Sequence, residues 1–220
     1  ILSVNGSLGK SNDSKISFKA SVPSLKTWDK SLAGKVDLNG ELSGKIEGLL
    51  AKIELDASSL VYDTNQVESL ALSADFDLGN FTIGSLSASA NQLNLSGYIV
   101  ENIHTSVAGP LSDQEITIKV KGADQININV KGGLNSENSR WAGSFESIDI
   151  TPRDSPQWSL EEKSSLIISP QAITLETTCL QSIGNRICLE SNWEAGVGAK
   201  GQAIIDLADL TLVKPYIPPS

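Results

Sequence analysis

Apolar side chains recur at every second residue along most of this chain. Leu70, Leu72, Ala74, Phe76 and Leu78 alternate with Ala71, Ser73, Asp75 and Asp77. The same spacing appears at Ile16/Phe18/Ala20/Val22, Val36/Leu38, Ile53/Leu55/Ala57, Leu86/Ala88/Ala90 and Leu93/Leu95. It continues at Ile103/Thr105/Val107, Ile116/Ile118/Val120, Ile126/Ile128/Val130, Trp141/Gly143/Phe145 and Ile148/Ile150. Leu166/Ile168, Ile173/Leu175 and the run from Val197 to Leu207 complete it. A two-residue period is the signature of a half-buried strand, and no window sustains a helical one. The pattern predicts an antiparallel, all-β chain with one apolar face and one wet face.

Turn chemistry separates the runs. Asn39-Gly40, Gly79-Asn80, Gly132-Gly133 and Gly184-Asn185 are read as hairpin turns. Pro23, Pro110, Pro152, Pro156 and Pro170 also fall between strands, where a missing N–H does least harm. A sandwich or closed barrel would satisfy these facts as well. The apolar runs are thin, however, rich in Ala, Gly and Thr, and aromatic residues make up only 5% of the chain. A sandwich interior needs bulkier facing layers. A long curved antiparallel sheet with its inner face partly open needs less filling and is the expected architecture.

Composition narrows the function. The 220 residues carry 17 Lys+Arg against 26 Asp+Glu, a net charge of −9. With no basic cluster, nucleic-acid binding is not expected. One His and two Cys cannot build most zinc sites, and no metal or other cofactor is expected. His104 alternates with Ile103 and Thr105, so it should lie on the polar face. No Gly-x-Ser-x-Gly, phosphate loop or metal-ligand spacing is present. Glu161-Glu162-Lys163 reads as a charged edge, and Asp149 and Asp154 are separated by a Pro-containing turn. No catalytic residue is assigned, and an enzyme is not expected. The chain lacks Met and opens in mid-pattern at Ile1, as expected of an internal piece of a longer protein.

The two ends look alike. Val22 to Gly34 and Leu207 to Pro218 each follow an alternating run, break it before a Leu and end near an aromatic. Residues 1–220 are therefore expected to form one continuous segment, with unit boundaries near 22–34 and 207–220. Only these boundaries leave room for a short helix.

Cys179 and Cys188 flank Ile183-Gly184. A hairpin pairing Ser182 with Asn185 sets them opposite each other, where a disulfide can form; two buried free thiols are the alternative. The disulfide suits an oxidising compartment. Trp28, Trp141, Trp158 and Trp193 read either as packing residues or as part of an apolar ligand channel.

Arg140 to Pro152, with Trp141-Ala142-Gly143 leading through a strand to Thr151-Pro152, resembles a recurring pattern of the bacterial TamB proteins. In that pattern Trp-x-Leu follows, and here Trp158-Ser159-Leu160 does. Cys179-Leu180, Cys188-Leu189, Trp193 and the boundary from Leu207 to Pro218 continue the resemblance. So do Ser31 to Gly34, Leu38 to Gly44, and Val107 to Pro110 before the strand from Glu115 to Val120. Two departures stand out. The usual Gly before the second Trp is replaced by Asp154-Ser155-Pro156-Gln157, and no His follows Gly109-Pro110.

The resemblance implies an AsmA-like, repeating β-groove protein, anchored in the inner membrane and extending through the periplasm. Its strands would form a U-shaped trough, apolar inside, that carries phospholipid acyl chains from the inner to the outer membrane. Assembly of outer-membrane proteins with an Omp85-type, TamA-like barrel is the second implied role, by strand addition to open edges. A ligand-free adhesin or solenoid repeat is a third reading. The residues expected to line the groove are Leu70, Leu72, Phe76, Leu93, Leu95, Ile116, Ile118, Val120, Ile126, Ile128, Val130, Phe145, Ile148, Ile150, Leu166, Ile168, Ile173, Leu175 and Ile205. An isolated piece with open edges could also pair with a second copy to form a homodimer.

Overall fold

The computed structural model describes residues 1–9, 14–45, 48–79, 82–135, 137 and 139–208. Among these the chain is almost entirely antiparallel strand with no α-helix, the all-β class the alternation predicts. It divides into two compact units, residues 1–122 and 123–220. That division lies at neither boundary segment named from the sequence. Residues 209–220 of the second segment lie outside the described part. The first segment carries a 3-10 turn at Leu25–Thr27.

The first unit is a meander in which each strand pairs with the next. Its strands are β1 (Leu2–Ser7), β2 (Lys15–Val22), β3 (Leu32–Ser43), β4 (Leu50–Tyr62), β5 (Asn65–Asp77), β6 (Thr82–Leu95), β7 (Tyr98–Ala108) and β8 (Gln114–Gly122). The second unit holds β9 (Gln125–Asn135), β10 (Arg140–Thr151), β11 (Trp158–Leu160), β12 (Ser164–Ile168), β13 (Ala172–Ser182), β14 (Asn185–Glu194) and β15 (Gly198–Asp206). Here β11 and β12 lie end to end, both bridging β10 to β13.

Two expected turns are strand interiors. Asn39 and Gly40 lie within β3, and Gly132 and Gly133 within β9. The reason is ring packing. A Cβ built on Gly40 would fall inside the ring of Phe18, its partner on β2. Gly132 and Gly143 face each other across β9 and β10, and a Cβ on either would strike the other's backbone and the Trp141 ring. Glycine here makes room for an aromatic ring to cover the strand, a use of glycine distinct from turning the chain. Ile183 and Gly184 do form a tight turn, which pairs Ser182 with Asn185 and Cys179 with Cys188. The two cysteines have Cα atoms 4.0 Å apart and form a disulfide.

In the first unit the register lines up apolar residues across every strand. One row runs Leu2, Ala20, Leu38, Leu55, Leu72, Ala88, Thr105, Ile118. The next runs Val4, Phe18, Gly40, Ile53, Ala74, Leu86, Val107, Ile116. Between them, on the opposite face, lie Lys19, Asn39, Glu54, Ser73, Ser87, Ser106 and Thr117.

This alternation changes phase along a single line across four strands. In β4 the apolar positions switch from odd to even beyond Ser59, and in β5 from odd to even beyond Glu68. In β6 the switch falls at Gln92 and in β7 at Glu101. Ser59 and Gln92 sit at φ 53° and 49°, the left-handed region, which breaks the two-residue alternation. Gly34, at φ 115°, continues the line into β3, where the register shifts by one. Past it, Leu60, Val67, Leu93 and Val100 form a new apolar row. Leu93 and Val100 are only 7% and 6% exposed, so the switch keeps their side chains out of water.

Two outcomes test this packing. Gly143→Ala should destabilise the protein by about 1–3 kcal/mol through overpacking, read as a lower denaturation midpoint. Replacing Cys179 and Cys188 together by Ala should cost about 2–3 kcal/mol by the loop-closure estimate for so short a loop, compared with the untreated protein in the same denaturant titration.

Candidate functional site

The candidate site is the apolar face itself. Two-residue alternation sends one set of side chains to each side of a strand, and cross-strand register joins these sets into surfaces. In the first unit the register brings Leu70 into a row with Ala57, Ala90, Ile103 and Val120. Leu72 and Ile118 share the neighbouring row, and Ile116 the one after it. Phe76 lies opposite Ala51. Leu93 belongs to the row beyond the phase change, and Leu95 stands at the strand end opposite Tyr98.

In the second unit Ile126 pairs with Ile150, Ile128 with Ile148 and Val130 with Phe145. Leu166 pairs with Leu175, and Ile168 with Ile173. Ile205 faces Ile187, which faces Leu180. Trp158 is buried opposite Ile150, while Trp193 lies between Ile173 and Ala199.

Among the described residues each strand packs on its neighbours in the sheet, and no second layer closes these faces. Among the described residues no large side chain is completely buried. Leu70, Leu72, Ile116, Ile118, Ile128, Leu166 and Leu175 are all half-buried. A packed sandwich would bury such residues from both sides. The apolar rows also run further than the lining named from the sequence. They extend through Leu55, Leu38 and Ala20 to Leu2, on strands whose alternation carries the same signal.

The opposite face is wet and charged. Lys15 pairs with Glu41 at 2.8 Å, Lys52 with Asp75 at 3.8 Å and Arg186 with Glu161 at 2.7 Å. His104 lies on this face between Ser89 and Lys119. The Asp149 carboxylate accepts hydrogen bonds from Ser159 Oγ at 2.8 Å and Gln157 Nε2 at 3.1 Å, which tie β11 to β10. The disulfide is on this side too, since Cys179 follows the phase of Gln181 and not of Leu180. Arg186 Nη2 covers Cys179 Sγ at 3.3 Å.

Glu146 sits where the β9–β10 register shifts between Phe145 and Ser147. Its carboxylate receives the Lys163 ammonium and, at 2.8 Å, the Ser144 hydroxyl. The Lys163 hydrogen bond first, and Ser144 second, hold its pKa below the usual glutamate value.

A family model for the TamB N-terminal domain matches residues 1–220. No curated protein matches the chain, and no solved structure does. Among the described residues no helix is long and apolar enough to cross a membrane.

The Glu146 contact has a pH signature. A carboxylate with a lowered folded pKa stabilises the fold above its unfolded value, and that contribution is lost as pH falls through the folded one. Lys163→Ala should raise the Glu146 titration midpoint toward the usual glutamate value, followed through its side-chain carboxyl carbon by NMR. An unmoved midpoint would remove Lys163 as the cause.

Proposed function

The chain belongs to the TamB family, and we propose that its apolar face is a stretch of a lipid conduit that takes up phospholipid acyl chains between the inner and outer membranes. The observation that carries this reading is the pair of largely apolar rows left uncovered among the described residues, Leu2 to Ile118, interrupted by Thr105, and Val4 to Ile116. Moving one methylene from water to such a surface is worth about 0.8 kcal/mol, so an acyl chain prefers it to the periplasm. The lining is aliphatic and non-directional. It gives weak chain selectivity and a low barrier to sliding, both of which a conduit needs and a tight carrier does not. The residues named from the sequence, Leu70 to Ile205, are the proposed lining, extended by the rows through β2, β3 and β4. No catalytic group or cofactor enters this reading.

The family is associated with the bacterial envelope and with an outer-membrane assembly module. Within the proposal, the full-length protein is held in the inner membrane and meets an Omp85-type barrel at the other side. The acidic polar face, part of a chain of net charge −9, disfavours lying flat on an anionic leaflet. That suits a span across the periplasm more than a coat on either membrane.

Photo-crosslinkable residues placed one at a time in the full-length protein in cells test this. Leu72 and Ile118 should capture phospholipid, whereas their neighbours Ser73 and Thr117, on the opposite face, should not. Equal capture from both faces would sink the reading. Capture of unfolded outer-membrane protein in place of lipid would favour the outer-membrane assembly role.

A further inference from the structure

Two braced pieces of the first-unit sheet meet along an unbraced line. The register pairs Ser58 with Ser69 and Leu60 with Val67, passing over Ser59 and Glu68. Between β5 and β6 it passes over Glu68 and Gln92, and between β6 and β7 over Gln92 and Glu101. These four residues stand side by side on adjacent strands, and all are exposed. Register shifts carry the line on to Gly34 in β3 and into the pairing of β7 with β8. Gly34 also lets β3 close on the line, since a Cβ there would lie 2.8 Å from the carbonyl oxygens of Ser58 and Ser59.

On the floor side of the line, side chains tie the strands together. Asn102 Nδ2 donates to Asn91 Oδ1 at 2.8 Å, and Asn91 Nδ2 donates to Ser69 Oγ at 3.0 Å. On the far side a short wall is braced separately. Its two hairpin ends, residues 60–67 and 93–100, pair with each other through Val67–Leu93 and Gln66–Asn94. Thr64 Oγ1 lies 3.4 Å from Ser96 Oγ across their tips. Bending a sheet across its strands works against every rung of its ladders. Where a rung is missing at the same level in neighbouring strands, and the residues there face water, bending concentrates. A hinge is a few such residues that absorb the backbone change. Ser59 and Gln92, at φ 53° and 49°, already hold conformations that break the strand.

We propose that this line is a hinge, and that the wall beyond it swings to widen and narrow the apolar face around an acyl chain. The inference rests on the conduit reading and adds a moving part to it. Leu93 and Val100, on the wall, are buried, whereas Leu70, Leu72 and Ile118, on the floor, are half-buried. Swinging the wall out takes Leu93 and Val100 from their cover, and an acyl chain laid against them restores it. That contact exists only in the outward arrangement, so cargo shifts the balance toward it.

Paired nitroxide labels in the full-length protein test this by dipolar distance measurement. Glu54→Cys with Gln66→Cys spans the hinge, roughly 23 Å along the strand direction. Lys19→Cys with Lys119→Cys lies on the floor side alone. All four positions are exposed. Cys179 and Cys188 are joined and take no label. The protein is stripped of lipid, held in amphipol and measured before and after adding dioleoylphosphatidylglycerol. A photo-crosslinker at Leu72 reports lipid uptake in the same preparations. Lipid should move the Glu54–Gln66 distance by several ångströms to a second resolved population and leave the Lys19–Lys119 distance unchanged. An unmoved Glu54–Gln66 distance while Leu72 captures lipid overturns the hinge and leaves the conduit standing. Movement of both pairs means that bending is spread through the sheet, and it overturns the hinge as well. Absence of lipid capture at Leu72 overturns the conduit and the hinge together.

Discussion

The whole structure depends on register. A strand's side chains alternate with a period of two, so slipping one strand by one residue would move its entire apolar set into water. Eight strands keep Leu2 to Ile118 in one row only because every neighbouring pair is held in step. Tight turns do much of this. Asp63-Thr64 and Ser96-Gly97 leave Tyr62 paired with Asn65 and Leu95 with Tyr98. In the second unit β13 is irregular between Leu175 and Thr178, and the Cys179–Cys188 disulfide fixes the β13–β14 register just past that point.

An uncovered sheet has a second difficulty, since it has no opposing layer to shield its backbone. The few aromatic rings answer this locally. Phe18 lies over Gly40, and Trp141 over Gly132 and Gly143. The phase change through Gly34, Ser59 and Gln92 answers a related need. Bulges and left-handed residues bend the strands that carry them. Placed side by side, they let the sheet of the first unit turn along one line while its apolar side chains remain on one face, as the burial of Leu93 and Val100 requires.

Much of this was legible in the residues. Alternation names the strands and their faces directly, which is why Leu72, Ile118 and His104 lie where the pattern puts them. Glycine was ambiguous. Asn39-Gly40 and Gly132-Gly133 have turn chemistry, but Gly40 and Gly132 each receive a ring from the neighbouring strand, a contact that only pairing creates. The phase change left a trace, the break between Ala90 and Leu93, but a break also looks like the end of a strand. The residues that produce it in β4 and β6 are Ser59 and Gln92, neither a usual left-handed residue. Leu38 and Leu55 carry the same signal as Leu72, but only the register shows that they continue its row.

The wet face contributes little to holding this fold together. Its ion pairs are exposed, and such pairs are worth roughly 0–1 kcal/mol each. The stabilising terms are therefore the backbone ladders and the apolar rows. Those rows are only half removed from water, so folding leaves part of their hydrophobic free energy unrealised. Anything apolar that covers them supplies the remainder, and by linkage it stabilises the folded chain in proportion to its occupancy. Under the proposed function the surface that folds the protein and the surface that takes up cargo are the same side chains. Selection for passage and selection for stability then act on one property, the register that keeps the apolar side chains on one face.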